Sequence, residues 1–157
     1  MERWQRRFRY FYLRFMRLRE QPEQLARGLA AGIFAGLFPL FGLQTIIGIA
    51  IALRIGGNPL MAAAGTWVSN PLTYVPIYAF NYNVGRWFMG IRDTDPFSNT
   101  VESYQNWLAM GTDVALALFL GCFVVGGVCS ALSYTIGLPV ITQIQQRYQN
   151  RQQRRKK

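Results

Sequence analysis

Phe38-Pro39-Leu40-Phe41-Gly42-Leu43-Gln44 and Ser69-Asn70-Pro71-Leu72-Thr73 are two short helix-breaking stretches, each set inside a long apolar run. Gly28 to Leu53 is 26 residues without a charge, and Ile55 to Gly85 is 31. Such lengths suit a bilayer with about 30 Å of hydrocarbon, and neither run shows the polar stripe of a helix lying on a soluble core. Read as membrane segments, the runs place their breaks where a free backbone N–H or C=O is costly unless protein or trapped water satisfies it. Pro39, Gly42 and Pro71 are therefore structural breaks, and the polar residues beside them are candidates for a site.

Outward from the breaks, the pattern is all helical. Pro22 followed by Glu23 starts a helix, and along it Gly28, Gly32 and Gly36 recur every fourth residue with Ala31 and Ala35 alongside. That is a small-residue face on which another helix can approach closely. A second apolar helix runs from Leu43 to about Ile55 and is closed by Gly56-Gly57. Asn58-Pro59 is a cap followed by proline, which opens a helix over Leu60–Ser69. Asn70-Pro71 repeats the signal in mid-run, so a further helix is expected from Pro71, with Pro76 able to kink it. Thr112 or Asp113 caps a last helix from Val114 to about Ile144, and the Gln/Arg/Lys tail beyond Gln143 is expected to fray.

Composition bounds the rest. The chain has 157 residues, enough for one domain, and a formal net charge of +10. Thirteen of its 17 basic residues lie in residues 1–19 and 147–157. Positive charge abutting membrane-length segments points to anionic lipid headgroups and away from nucleic acid. Residues 1–21 read as a basic amphipathic interfacial helix: Trp4, Phe8, Phe11, Phe15 and Leu18 share one wedge, with arginines on and beside the far side. Packing of that aromatic face on a partner is the alternative. No small-residue cleavage site follows, so no cleaved targeting signal is expected. Histidine is absent, and Cys122 and Cys129 have neither disulfide nor metal spacing.

Ile91–Asp113, expected to be a polar loop, carries one arginine against four acids. The positive-inside rule then puts both termini in the cytoplasm and this loop outside. The reading is an all-α integral membrane protein, multi-pass in a bacterial cytoplasmic (inner) membrane. It comprises the interfacial helix, a re-entrant helical hairpin, a Pro-broken transmembrane helix and a C-terminal transmembrane helix. Its membrane domain is residues 22–145, with a basic tail at 146–157. A pair of hairpins, or two full crossings with Arg54 outside, fits the same counts.

The stretch from Gly36 to Thr45 that contains the first break, then Arg54, Asn58 and Gly65-Thr66-Trp67-Val68-Ser69-Asn70-Pro71-Leu72-Thr73, resembles the bacterial family catalogued as domain of unknown function 2062. The likeness covers roughly residues 22–140 and rests on two motifs in the same order. The resemblance implies a protein integral to the bacterial membrane, without an assigned reaction. It carries over no catalytic residues.

Two half-helices beginning at mid-depth would present free N–H groups and partial positive charge. Gln44, Thr45, Thr66, Ser69, Asn70 and Thr73 supply hydrogen-bonding groups nearby, and Arg54 and Arg86 could approach from either side. Such a lining favours an anion or phosphate headgroup. Equally, the polar groups satisfy the kinks and the arginines snorkel to headgroups. Two functions follow: a carrier or flippase-like protein for an anionic lipid or lipid-linked precursor, or a structural membrane protein that acts as assembly helper or anchor. The partners are membrane lipids and a second copy or another membrane protein. No catalytic residue, metal or cofactor is expected, because the apolar segments hold no carboxylate and no histidine.

Overall fold

The computed structural model describes residues 21–40, 42–91 and 104–154, with side chains over 111–150 in the last segment. The helix expected over 1–21 lies outside the described residues, as does most of the loop expected over 91–113. Five α-helices are described: α1 (Pro22–Gly36), α2 (Leu43–Arg54), α3 (Pro59–Gly65), α4 (Tyr74–Met89) and α5 (Tyr104–Arg154). A single 3₁₀ turn, Thr66–Val68, extends α3.

Local chemistry sets most of the boundaries. Pro22 and Pro59 both sit in the first turn of a helix, and the Asn58 side chain accepts the Met61 N–H at 2.7 Å. Between α2 and α3, Gly56 adopts φ +68 and the Gly57 N–H returns to the Ala52 carbonyl at 2.7 Å, a glycine-dependent stop.

Three boundaries differ from the sequence expectation. The helix expected from Pro71 starts at Tyr74, because Asn70 and Thr73 close a turn first: Asn70 Oδ1 accepts the Leu72 N–H at 3.0 Å and Thr73 Oγ accepts the Asn70 N–H at 2.9 Å. Pro76 consequently lies in the first turn of α4, where its missing N–H interrupts little. The last helix begins at Tyr104, within the expected loop, and continues through Pro139 to Arg154 instead of fraying from Gln143. Gln and Arg are good helix formers, and Thr142 Oγ bonds back to the Leu138 carbonyl at 2.8 Å just beyond the proline.

Small residues decide the packing. A Cβ on Gly28 would strike the Asn58 backbone, one on Gly32 the Ala62 backbone, and one on Gly36 would lie 3.0 Å from Thr66 Cα. The constant offset means that α1 and α3 run parallel with their backbones touching. α2 runs back against both: a Cβ on Gly48 would lie 3.3 Å from Ala35 Cβ and 3.1 Å from Thr66 Cγ2, and Arg27 Nη1 reaches the Ile55 carbonyl at 3.4 Å. α5 lies antiparallel to α1, with ring centroids 6.2 Å apart at Phe38–Phe119 and 5.8 Å at Phe34–Phe123. It is also antiparallel to α4, where Gly85 meets the Ala117 carbonyl and Gly121 meets the Asn81 carbonyl.

The interior is small and partly polar while the outside is large and apolar. The buried apolar positions are mainly alanines, and the largest fully buried side chains are Asn81, Thr66 and Cys122. Trp67, Leu72, Val75 and Trp87 are 79%, 90%, 78% and 76% exposed. Large apolar side chains gathered on the outside mark a surface that meets lipid or a partner. Within α5, Gly111–Asn150 is long and apolar enough to cross a membrane.

Candidate functional site

The last carbonyls of an α-helix have no partner within it, and α1 ends in the interior. Its C-terminal carbonyls are instead met by side chains from distant parts of the chain. The Ser69 hydroxyl donates to the Gly36 carbonyl, Asn81 Nδ2 donates to the Leu37 carbonyl at 3.1 Å, and the Tyr78 hydroxyl donates to the Phe38 carbonyl at 3.2 Å. Three consecutive acceptors thus take three donors, one from the turn after α3 and two from α4. The two breaks meet here, held by hydrogen bonds across 33 to 44 residues of sequence.

A second group joins α2 to the 3₁₀ turn. Thr45 and Thr66 hydroxyl oxygens are 3.2 Å apart, Thr66 Oγ donates to the Ala63 carbonyl at 2.7 Å, and Ser69 Oγ lies 3.4 Å from Gln44 Oε1. Gln44, Thr66 and Ser69 are buried, and Thr45 is half-buried. Asn70 and Thr73 are occupied by their own turn, in which Thr73 Oγ also donates to the Val68 carbonyl at 2.9 Å.

Of the eight expected lining residues, Gln44, Thr45, Thr66 and Ser69 come together, and Asn70 and Thr73 hold the adjacent turn. Arg54 is not brought in. Arg54 ends α2, about 16 Å along the axis from Leu43 at 1.5 Å per residue. Arg86 lies in the last turn of α4, with its guanidinium 5.7 Å from the Tyr82 ring centroid. The helix N-termini offer an anion little. At α2 the Gln44 N–H is bonded to the Leu40 carbonyl at 2.9 Å; at α4 the Tyr74 N–H is bonded to the Asn70 carbonyl at 3.0 Å, and Pro76 has no N–H. What dominates at the breaks is the acceptor-rich C-terminal end of α1.

Asn81 and Tyr78 do not stand out in the sequence as site residues. One signal was present for Asn81: it lies four residues before Gly85, so the pair shares a helix face. A glycine that admits a neighbouring helix marks the side on which the asparagine is buried. Tyr78 carries no comparable mark.

Helices broken in the interior, with each break satisfied by its neighbours' side chains and an apolar exterior around them, define an all-helical class of protein with, among the described residues, one segment able to span a membrane. A model of one protein family, described as an uncharacterized protein conserved in bacteria (DUF2062), matches residues 5–150. The chain belongs to that family. Comparison with curated proteins and with solved structures gave no match.

Proposed function

We propose that this chain is a multi-pass protein of the bacterial inner membrane whose role is structural, an assembly helper or anchor without a reaction of its own. In this reading α1 and α2 form a re-entrant hairpin, α3 and α4 a broken transmembrane helix, and α5 the last crossing, with both termini in the cytoplasm. The observation that carries the reading is how the polar groups at the breaks are used. Ser69, Tyr78 and Asn81 satisfy the end of α1, Thr45 and Thr66 pair, and Asn70 and Thr73 close one turn. A carrier's polar groups line a wet cavity, whereas these are turned toward one another. The large apolar exterior supports a lipid setting, and the basic ends support contact with anionic headgroups.

The carrier reading, for an anionic lipid or lipid-linked precursor, keeps less support. Arg54 stands about 16 Å along α2 from Leu43, and the group left over at the breaks is an acceptor, which repels an anion.

The discriminating experiment compares Gln44→Ala, Ser69→Ala and Asn70→Ala in the detergent-extracted full chain, by thermal unfolding and by native mass spectrometry of co-purifying lipid. A structural role lowers the midpoint in all three and leaves the lipid set unchanged. Normally folded variants that lose one specific anionic lipid would establish the carrier. Topology is tested separately with Ser98→Cys in intact cells. An impermeant thiol reagent should label it, and protection there would overturn the orientation.

A further inference from the structure

Asn81 has no exposed surface and is among the largest fully buried side chains. Its amide nitrogen is committed twice, to the Leu37 carbonyl at 3.1 Å and to Cys122 Sγ at 3.2 Å. These partners set the orientation of the amide, since turning it over would oppose Oδ1 to the Leu37 carbonyl oxygen, acceptor against acceptor. Oδ1 is consequently left, among the described residues, as the buried side-chain oxygen or nitrogen with no hydrogen-bond partner. Buried polar atoms in folded proteins almost always have a partner, and an exception marks a missing one.

The surroundings say which kind of partner. Oδ1 belongs to the side chain that caps α1, so it sits at the negative end of that helix. The Leu37 carbonyl nearby shows one donor and retains a second lone pair, whereas the Phe38 carbonyl takes both the Tyr78 hydroxyl and the Leu40 N–H. Gln44 Oε1, beside Ser69, is one more acceptor in the same region. Hard cations take oxygen ligands from amide side chains and backbone carbonyls, and the unwound C-terminal ends of half-helices are where membrane proteins coordinate them.

We propose that Asn81 Oδ1 is a ligand of a small monovalent alkali cation held where the C-terminal end of α1 meets the α4–α5 contact. The cation supplies the partner that the described residues leave Oδ1 without, and it does so with or without a transported substrate, so the inference goes beyond the structural role.

Cys122 reports on the site, because its sulfur touches the Asn81 amide. Cys122 is buried and Cys129 is half-buried on the same helix. The full chain in detergent is labelled with a small maleimide in choline, sodium and potassium chloride at equal ionic strength. A bound cation holds the junction closed, so labelling of Cys122 slows by a factor of 1 + [L]/Kd, about elevenfold at ten times the dissociation constant, while Cys129 labelling is unchanged. Asn81→Leu removes the dependence, and Asn83→Leu, on the exposed side of α4, keeps it. Equal Cys122 rates in choline and in both alkali salts overturn the proposal; a water then holds Oδ1. Slowing of both cysteines together, or a response that survives in Asn81→Leu, also overturns it, by placing the cation elsewhere. Should Asn81→Leu fail to fold, the contrast between the two cysteines in the unaltered protein decides alone.

Discussion

Gly121 and Gly127 lie six residues apart on α5, and one added methyl group should affect them in opposite directions. A Cβ on Gly121 would lie 2.6 Å from the Asn81 carbonyl carbon and 3.0 Å from Gly85 N, where ordinary contacts begin at 3.4 Å. The helix backbones must part to admit it, and overpacking of this kind costs about 1–3 kcal/mol. The parting also stretches the bonds from Asn81 Nδ2 to Leu37 and Cys122, now 3.1 and 3.2 Å long. If the first breaks, a buried carbonyl is orphaned at a further cost of about 1–3 kcal/mol. At Gly127 nothing lies within 4 Å, so alanine there only restricts the unfolded chain and gains up to about 1 kcal/mol. Gly121→Ala should therefore unfold at a clearly lower denaturant content than the parent, by about 1–6 kcal/mol, and Gly127→Ala at the same content or a higher one. Titration with sodium dodecyl sulfate in mixed micelles, followed by circular dichroism, measures both. Equal shifts, or a more stable Gly121→Ala, would refute the close α4–α5 contact and with it the burial of Asn81.

Three further outcomes are expected. Gly32→Leu should destabilise far more than Leu29→Ala in the same titration, because Gly32 lies against the Ala62 backbone while Leu29 is half-buried; equal effects would mean that the glycine face looks outward. Asn58→Ala removes the cap on Met61 N and should cost about 0.5–2 kcal/mol, with Asn58→Asp recovering most of it. In the native protein Cys129 should react with maleimide faster than Cys122, and the two should converge once the protein is denatured; equal native rates would contradict the burial of Cys122.

The breaks and the glycine face were legible because both are local. Proline lacks a donor wherever it stands, and Gly28, Gly32 and Gly36 share a helix face whatever the rest of the chain does. The partners of the breaks were not legible. Asn81 reaches Leu37 across 44 residues and Tyr78 reaches Phe38 across 40, and no periodicity encodes a hydrogen bond made by tertiary packing. Arg54 shows a related limit: it follows the first break in sequence, but the helix rise sets it about 16 Å from Leu43 along α2. The length of α5 was missed because a polar Gln/Arg run reads as loop by hydropathy, although those residues favour helix when one is already nucleated.

The way α1 ends also has a consequence in time. During synthesis the Leu37 and Phe38 carbonyls emerge well before the side chains that will meet them. At about 5–20 residues per second, the 44 residues separating Leu37 from Asn81 take roughly 2–9 seconds to add. Over that interval α1, α2 and α3 can already assemble on their glycine and alanine faces, since their contacts lie within about thirty residues of one another. The end of α1 meanwhile depends on water, and water is what the hydrocarbon interior excludes. In the proposed multi-pass arrangement the first three helices should therefore wait in a hydrated setting, at the membrane surface or within the insertion machinery, until α4 arrives and takes the place of the solvent.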